Sequence, residues 1–598
     1  MAAPNSPAEK LITENIDIWT SAIKKRGSQG RGSSKKIELY GIKKLRELIL
    51  ELAVRGLLVP QDPSDEPASV LLEKIAAEKE QLIKDGKIKK QKALPVLALE
   101  DQLFSTPQGW IYARFADLAF SYKVGLDRGK SQQGLEKEFR YFKMNNILNE
   151  GGMQLEDITR VDATINEVNE YELCNGDFLF NTRNSKELVG KTCVFFSKNE
   201  SSVLYNNNIL RAKFANPTLS QFLDIWMRSP SGNALLDLIK SGTTNVWAIY
   251  QGKLEKLLCI IPPETEQTRI VAKVDELMAL CDQLEQQTET SLLAHQTLVE
   301  TLLNTLLNAD QNSFDPAWER IAQHFDVLFT TEHSIDQLKQ TILQLAVMGK
   351  LVPQDPNDEP ASVLLEKIAT EKEQLIKDKV IKKQKPLPPI SEDEKPLELP
   401  QGWELVRLDD VCFGITSGST PPKSEFDENE GVPYLKVYNI KEQKIAFDYK
   451  PQYVKSEYHS TKLKRSILYP GDVIMNIVGP PLGKVAIIPD SHPEWNCNQA
   501  ITFFRPILKE LNNYIYTYLL AGTFLNSIEL IGTAGQDNIS VTKSRSITFP
   551  FPPIKEQAKI IVRVNELMKL CDVLKSNISV INTTQLHLAD AMAEQALN

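Results

Sequence analysis

The sequence contains a near-exact internal duplication. Residues 58–95 align without a gap with residues 351–388, and 33 of the 38 positions are identical. Each copy predicts a helix, a glycine stop, a proline-punctuated turn and a charged helix that begins at about Ala68 or Ala361. Self-similarity on this scale fixes the architecture before any local pattern is considered, so the chain is expected to fold as two related halves.

Two weaker correspondences frame the stretches between the copies. Pro107-Gln-Gly-Trp110 recurs as Pro400-Gln-Gly-Trp403, and the segment 262–284 recurs at 552–574. The latter carries apolar or small residues in steps of three and four, which predicts two long helices that pack on each other or on a partner. The seam positions are Ile270, Val274, Leu277, Cys281 and Leu284, then Ile560, Val564, Leu567, Cys571, Leu574, Ile578 and Ile581.

The repeats divide the chain into six segments. At 598 residues, the length alone suggests about four structural units. The predicted segments are an N-terminal helical arm at 1–104, a first mixed domain at 105–262, a long helix at 263–310, a second arm at 311–397, a second mixed domain at 398–552 and a second long helix at 553–598. We therefore predict an α+β protein with pseudo-twofold symmetry, in which two roughly antiparallel long helices join two mixed α/β domains. The identical arms and divergent domains indicate one task performed on two targets.

Composition excludes several classes of protein. The chain has no apolar run near the roughly 20 residues that span a bilayer, and its polar N-terminus does not resemble a secretory signal, so a cytoplasmic location is expected. The seven cysteines include no Cys-x-x-Cys pair, which argues against a zinc site or a disulfide framework. The net charge is −9, yet residues 105–258 hold 18 basic and 17 acidic side chains and residues 399–548 hold 15 and 16. Each mixed domain can therefore present a basic face.

No catalytic motif fits. None of the Pro-Pro pairs follows the Asn/Asp of an adenine methyltransferase motif, and Gly125 to Ser131 has three residues between its glycines where a phosphate-binding loop needs four. That stretch is better interpreted as a flexible basic loop. Trp110 and Trp403 recur at the domain boundaries, which favours packing over base stacking.

Loops in both mixed domains combine the residue types that contact DNA, because Arg, Lys, Asn, Gln, Ser and Thr supply the donors and acceptors for base edges and phosphates. A solvated turn is the alternative for any single loop, since Asn, Gly and Ser are common in turns. The candidates in the first domain are Lys123, Arg128, Lys130, Lys143, Asn145, Asn146, Arg183, Asn184, Lys186, Asn208, Arg211, Thr243, Thr244 and Asn245. The candidates in the second are Thr416, Ser417, Ser419, Lys423, Lys436, Asn439, Asn498, Gln499, Gln536, Asn538, Lys543 and Arg545.

The combination of Leu-Val-Pro-Gln-Asp-Pro turns, Pro-Gln-Gly-Trp domain entries and Pro-Pro-x-x-Glu-Gln exits resembles the specificity subunit of type I restriction-modification systems, in particular the type IB branch. A Gly-Asp pair before a strand, at Gly176-Asp177 and Gly471-Asp472, belongs to the same resemblance. The likeness implies two target-recognition domains that each read half of a bipartite duplex DNA site in bacterial phage defence.

The resemblance also implies partners. Two methyltransferase subunits and two restriction or translocase subunits are expected, with S-adenosylmethionine, ATP and Mg²⁺ bound by those subunits and no cofactor in this chain. DNA-mimicking anti-restriction proteins are further candidate partners.

Two other classes of function explain part of the sequence. A pure scaffold would explain the repeats but gives no reason for two divergent domains. A fused enzyme would require a cofactor or nuclease motif. Specific duplex binding that is lost when either half-site is scrambled would favour recognition, and S-adenosylmethionine turnover by the isolated chain would favour the enzyme.

Overall fold

The computed structural model describes the chain except for residues 1–6, 26–36, 90–93, 95–102, 157, 199–200, 243–245, 396–398, 428, 527–537 and 598. The chain divides into two compact units, Met1–Leu292 with Val580–Asn598, and Leu293–Ser579. Each unit contains one arm, one mixed domain and parts of both long helices. Within the described part of the chain, no helix combines the length and hydropathy needed to cross a membrane.

The arms have the predicted helix, turn and helix. In the first arm the helix Tyr40–Val54 ends before Gly56, whose φ of 69° is readily adopted only by glycine. The charged helix follows at Ala68–Lys84. The second arm repeats this arrangement with Glu332–Val347, Gly349 and Ala361–Lys377. Within each arm, short helices precede the helix, turn and helix; they are Pro7–Thr13, Ile16–Ser21, Phe314–Gln323 and Phe325–Leu328.

The long helices run from Glu264 to Asn308 and from Ile554 to Gln595. Each begins directly after a Pro-Pro pair, and proline is favoured at helix starts because its missing N–H has no partner there anyway. The first helix buries Ile270, Val274 and Cys281 in the same core as residues of the first arm. The seam therefore packs mainly on the arm and domain of its own unit. Ile581 is 54% exposed, and its packing on a partner stays a prediction.

Opposite ends of the two long helices share a core. In the first unit, Ala589 and Met592 of the second long helix join the core formed around the start of the first helix. The Tyr40 hydroxyl also donates to Asp590 Oδ1 (2.7 Å). In the second unit, the end of the first long helix shares a core with Cys571. This reversed order is the one expected of an antiparallel pair.

The first mixed domain contains two four-stranded sheets. One is antiparallel, and the other pairs its first two strands in parallel. In spatial order the strands are Thr192–Val194, Phe178–Asn181, Ile209–Lys213 and Ser121–Val124, then Val203–Tyr205, Phe139–Phe142, Arg160–Val161 and Gln133–Gly134. Smaller sheets pair Ile111–Arg114 with Leu258–Ile261, and Trp247–Ala248 with both Arg183–Asn184 and Ser241–Gly242. In the first arm, Lys24–Lys25 pairs with Ile37–Glu38. The helices are Phe115–Leu118, Ile165–Tyr171, Pro217–Arg228, Pro230–Ile239 and Gln251–Leu254, with 3₁₀ turns at Lys130–Gln132 and Met144–Asn146.

The second mixed domain has the same strand order. Its sheets are Val485–Ile487, Val473–Asn476, Ile501–Pro506 and Cys412–Ser417, then Asn496–Cys497, Val432–Leu435, Tyr453–Val454 and Phe426–Asp427. Glu404–Arg407 pairs with Thr548–Phe551, and Ile440–Lys441 with Lys444–Ile445. The helices are Leu408–Val411, Ser456–Thr461, Asn512–Ala521 and Val541–Arg545, and the 3₁₀ turns are Glu392–Glu394, Lys423–Glu425, Val437–Asn439, Lys464–Ser466, Lys509–Leu511 and Thr523–Asn526. One topology therefore underlies two domains with little sequence identity.

A buried hydrogen-bonded junction explains why three separated motifs recur together. Trp110 Nε1 donates to Glu266 Oε2 (2.9 Å), and Gln61 Nε2 donates to Glu266 Oε1 (2.5 Å). Trp403 donates to Glu556 in the same way (3.0 Å). Both indoles are at most 6% exposed, so the predicted packing role of the tryptophans is confirmed. The junction ties arm, domain entry and long helix together in each unit.

Candidate nucleic-acid interface

The candidate loops of the first domain are joined by backbone hydrogen bonds. Strands from both four-stranded sheets end at this place, so their connecting loops meet although they are up to 124 residues apart in sequence. We call residues 125–130, 143–146, 182–186, 206–208 and 246–249 the first loop cluster. The bonds are Leu126 N–H to Tyr205 O (2.8 Å), Asn206 N–H to Phe142 O (3.0 Å), Thr182 N–H to Asn208 O (2.8 Å) and Ile249 N–H to Thr182 O (3.0 Å).

The second domain assembles an equivalent group, residues 416–423, 436–439, 477–478, 498–500 and 538–539, which we call the second loop cluster. The connecting bonds are Ser419 N–H to Cys497 O (3.1 Å), Asn498 N–H to Leu435 O (3.0 Å), Ile477 N–H to Ala500 O (2.9 Å) and Ile539 N–H to Ile477 O (2.9 Å). Each domain thus brings most of its sequence-predicted loops to one place.

A glycine lets the chain cross closely in both clusters. A β-carbon on Gly125 would lie 2.3 Å from the carbonyl oxygen of Tyr205, and one on Gly418 would lie 2.0 Å from that of Cys497. Neither distance is tolerated by a side chain, so glycine is required at both positions. Lys130 and Lys423 each stand five residues after their glycine, and both are exposed. They therefore occupy equivalent positions.

The exposed candidates in the clusters form a short set. They are Lys130, Asn145, Arg183, Lys186, Lys423 and Gln499. A second group is partly exposed and comprises Lys143, Asn184, Asn208, Thr416, Ser417, Ser419, Lys436, Asn498 and Asn538. These side chains supply both donors and acceptors, as contacts to base edges and phosphates require.

Asn146 and Asn439 have a structural role in place of the predicted DNA contact. Asn146 is 6% exposed and accepts the Lys143 N–H (2.8 Å), while Asn439 is 1% exposed and accepts the Lys436 N–H (2.9 Å). Their amide groups donate to the carbonyl oxygens of Gln154 and Tyr449. Buried amides of this kind must satisfy their hydrogen bonds internally, so the two residues hold matching turns in shape.

Four predicted cations have partners inside their own domain. Arg128 pairs with Glu167 (2.7 Å), and Arg211 Nη1 donates to Glu172 O (2.7 Å). Lys123 pairs with Glu170, and burial lowers the pKa of Lys123 with a smaller contribution from nearby Arg211. Arg545 binds both oxygens of Asp409 (2.8 and 3.0 Å). The ion pair with Glu167 holds Arg128 in its loop, and the phosphate contact at Arg128 stays a prediction.

The remaining candidates lie away from the clusters or outside the described residues. Lys543 and Arg545 stand on the helix Val541–Arg545, which packs near Asp409 beyond the second loop cluster. Thr243, Thr244, Asn245 and Gln536 fall outside the described residues.

The sequence did not predict that aromatic side chains take part in the clusters. Lys186 Nζ lies 5.1 Å from the ring centroid of Trp247, and Lys436 Nζ lies 6.0 Å from that of Tyr438. Such contacts hold a cation in a defined direction. An aromatic two residues after Lys436 was a usable signal, whereas Trp247 is 61 residues from Lys186 and gave none.

Two acceptors in the second loop cluster are unsatisfied. Asn498 Oδ1 and Asn538 Oδ1 are buried and have no hydrogen-bond partner among the described residues. An unpaired buried acceptor is costly, and a donor from a bound ligand would satisfy it. In the described part of the chain, no group of three or more His, Cys, Asp or Glu side chains is placed to hold a metal ion.

The chain is similar to proteins of type I restriction-modification systems. The family model of the type I restriction modification DNA specificity domain matches residues 400–583. The EcoAI specificity subunit of Escherichia coli is 41% identical over 605 residues, with 99% of this chain and all of the relative covered. The EcoEI specificity subunit of Escherichia coli is 40% identical over 615 residues with the same coverage. A solved chain of a type I restriction-modification system is 18% identical, with 82% of this chain and 98% of that chain covered and a TM-score of 0.49.

Proposed function

Because the chain belongs to the specificity subunits of type I restriction enzymes, we propose that its two loop clusters read the two parts of a bipartite DNA site. One observation carries the proposal. The same framework of strands and turns is built twice, and the side chains exposed at its loops differ. A duplicated fold with different exposed donors suits two different base sequences, because bases are distinguished by the donors and acceptors that reach them.

The scaffold is proposed to set the distance between the two parts of the site. The two long helices connect the units in sequence, so their length would determine the unread gap. Two readers of the major groove must meet compatible faces of the duplex, so the scaffold would fix the length of that gap to within about one base pair. Insertion of one helical turn should therefore change the spacer.

The duplicated arms are proposed to recruit partners. Their charged helices, Ala68–Lys84 and Ala361–Lys377, differ at one residue in seventeen. Two near-identical surfaces suit two copies of one methyltransferase subunit, and two restriction subunits would join that complex. In this proposal the chain recognises DNA, while S-adenosylmethionine, ATP and Mg²⁺ act in the partner subunits. Assignment to the type IB branch remains a prediction.

The test is selection from randomised duplexes. The purified chain, with and without its co-encoded methyltransferase subunit, is incubated with the pool, and the retained duplexes are sequenced. Two fixed blocks separated by a constant gap are expected. No enrichment with the partner present would favour a scaffold without a DNA role.

Equivalent lysines allow each half to be assigned. Lys130→Ala and Lys423→Ala should each remove a phosphate contact. Each should therefore reduce the slope of log K against log salt by about one. Backbone footprinting should show lost protection on one half of the site for Lys130→Ala and on the other half for Lys423→Ala. Lys256→Ala, at an exposed lysine next to the strand Leu258–Ile261, is the matched control. Loss on the same half for both variants would contradict the assignment.

A further inference from the structure

A lysine-rich segment outside the loop clusters lies against the second recognition domain. We call residues 379–385 the basic strap. It carries Lys379, Lys382, Lys383 and Lys385, all of them exposed. None of these four ammonium groups takes part in an ion pair within the described part of the chain. Four unneutralised positive charges in seven residues form a strong local attraction for a polyanion.

The strap is anchored to the domain. Arg545 Nη2 donates to Lys385 O (3.3 Å), and Arg407 donates to the carbonyl oxygens of Pro388 (3.2 Å) and Pro389 (3.3 Å). Arg407 is itself 6% exposed and pairs with Glu394 (2.9 Å). The hydrogen bond from Arg407 lowers the pKa of Glu394 to about 2. The strap therefore starts just after the charged helix Ala361–Lys377 and is held to the domain at Lys385.

The backbone at Lys379 is unusual. Its φ is 59°, a left-handed conformation, and the equivalent residue of the first copy, Gly86, has a φ of 69°. Glycine adopts this conformation freely, whereas a lysine there is strained. The copies differ here as Gly86-Lys87 against Lys379-Val380, so each retains four lysines between its charged helix and its proline. The second copy therefore has the same number of lysines at this end of its helix as the first copy, although Lys379 adopts a strained backbone conformation.

The strap lies at a suitable distance from the second loop cluster. The strand Cys412–Ser417 begins beside Asp409, which Arg545 binds, and ends inside the cluster. Six residues of strand span about 20 Å. Duplex DNA rises 3.4 Å per base pair, so the strap would stand within roughly six base pairs, or half a helical turn, of the bases being read.

We propose that the basic strap binds phosphates of the DNA that flanks the recognised bases, without regard to sequence. This rests on the proposed function, because it requires that the second loop cluster face a duplex. An acidic protein surface is the competing partner, and the experiment below distinguishes it.

The experiment measures binding of the full-length chain to its selected duplex and to a scrambled duplex over a range of salt concentrations. Each phosphate contact contributes about 0.9 to the slope of log K against log salt. The variant Lys382→Gln/Lys383→Gln/Lys385→Gln should reduce that slope by about 2.7 on both duplexes and leave their affinity ratio unchanged. Lys569→Gln, an exposed lysine of the second long helix, is the control and should change neither quantity.

Lys379→Gly separates charge from structure, since it copies the residue that the first arm already uses. It should reduce the slope by about 0.9 without lowering the unfolding temperature. Unchanged slopes in both variants would overturn the proposal. So would unchanged DNA binding with loss of co-elution with the methyltransferase subunit, which would identify a protein contact. If the unmodified chain fails to prefer its selected duplex, the proposed function fails first and the strap proposal with it.

Discussion

The two recognition domains share their framework and differ at their loop tips. Both use a Lys-x-x-Asn turn with a buried asparagine, and both use a glycine where two segments cross. At the tips, the first cluster exposes Asn145, Arg183 and Lys186, whereas the second exposes Thr420 and Gln499. The bonds that hold the framework are mostly between backbone groups, which every residue type provides. The tips are therefore free to change without loss of the fold.

The domains also differ in how they support one buried aspartate. Gly176 and Gly471 adopt φ values of 92° and 94°, and the aspartate that follows each accepts a backbone N–H. Asp472 is bound by two nitrogens of Arg505 (2.8 and 2.6 Å). Asp177 has its nearest cations at 3.9 Å, and burial raises its pKa. The buried charge of the aspartate is therefore paired with a close arginine in the second domain, whereas its cations in the first domain are more distant.

The largest expected effect tests the shared framework. Trp110→Ala and Trp403→Ala should each destabilise their unit by about 3–5 kcal/mol, because each removes a buried aromatic side chain and the indole N–H that donates to a buried glutamate. Urea unfolding measures both. Trp318→Ala is the control, since that indole is 43% exposed. A large effect in one unit alone would break the equivalence of the two junctions.

A smaller effect should distinguish the two aspartates. Asp472→Asn removes a charge-assisted contact with Arg505 and should cost about 1.5–3 kcal/mol. Asp177→Asn should cost less at neutral pH, because the carboxylate that it removes is disfavoured by burial. A raised folded-state pKa means that stability falls as pH rises from the unfolded pKa to the folded one, then stays level.

Thermal unfolding over that acidic window measures the difference. Across it, the stability of the unmodified chain relative to that of Asp177→Asn should fall as pH rises. Equal costs for both variants at neutral pH would show that the two turns are supported alike.

The smallest expected effect separates framework from tip within one turn. Asn146→Ala should destabilise the first domain by about 1 kcal/mol through the lost cap of its turn. Asn145→Ala, one residue earlier and exposed, should stay within about 0.5 kcal/mol yet weaken binding to one half of the DNA site. Denaturation and duplex binding, measured on both variants, check the two halves of this prediction. If Asn145→Ala destabilised the domain more than Asn146→Ala, the exposed residue and not the buried one would stabilise the turn.

The sequence predicted the scaffold well because its signals are local. Glycine stops, proline starts and the apolar repeat gave the arms and long helices. The common topology of the recognition domains was not predicted, since it depends on backbone pairing that leaves little trace in residue identity. One trace was available, because Lys143 and Asn146 stand 293 residues before Lys436 and Asn439, the same offset as the arms. The internal partners of Arg128 and Arg545 lie 39 and 136 residues away, and no local pattern reports such contacts.

The first unit is discontinuous in sequence, and this constrains the order of events during synthesis. Its core includes Ala589 and Met592, and 550 residues separate Tyr40 from its partner Asp590. At 5–20 residues per second, a ribosome needs roughly half a minute to two minutes to make that interval. The second unit, Leu293–Ser579, is complete in the nascent chain before the first. The unit that is translated first therefore finishes folding last. Until residues 580–598 have been made, its N-terminal helices expose an apolar face that a chaperone would have to protect.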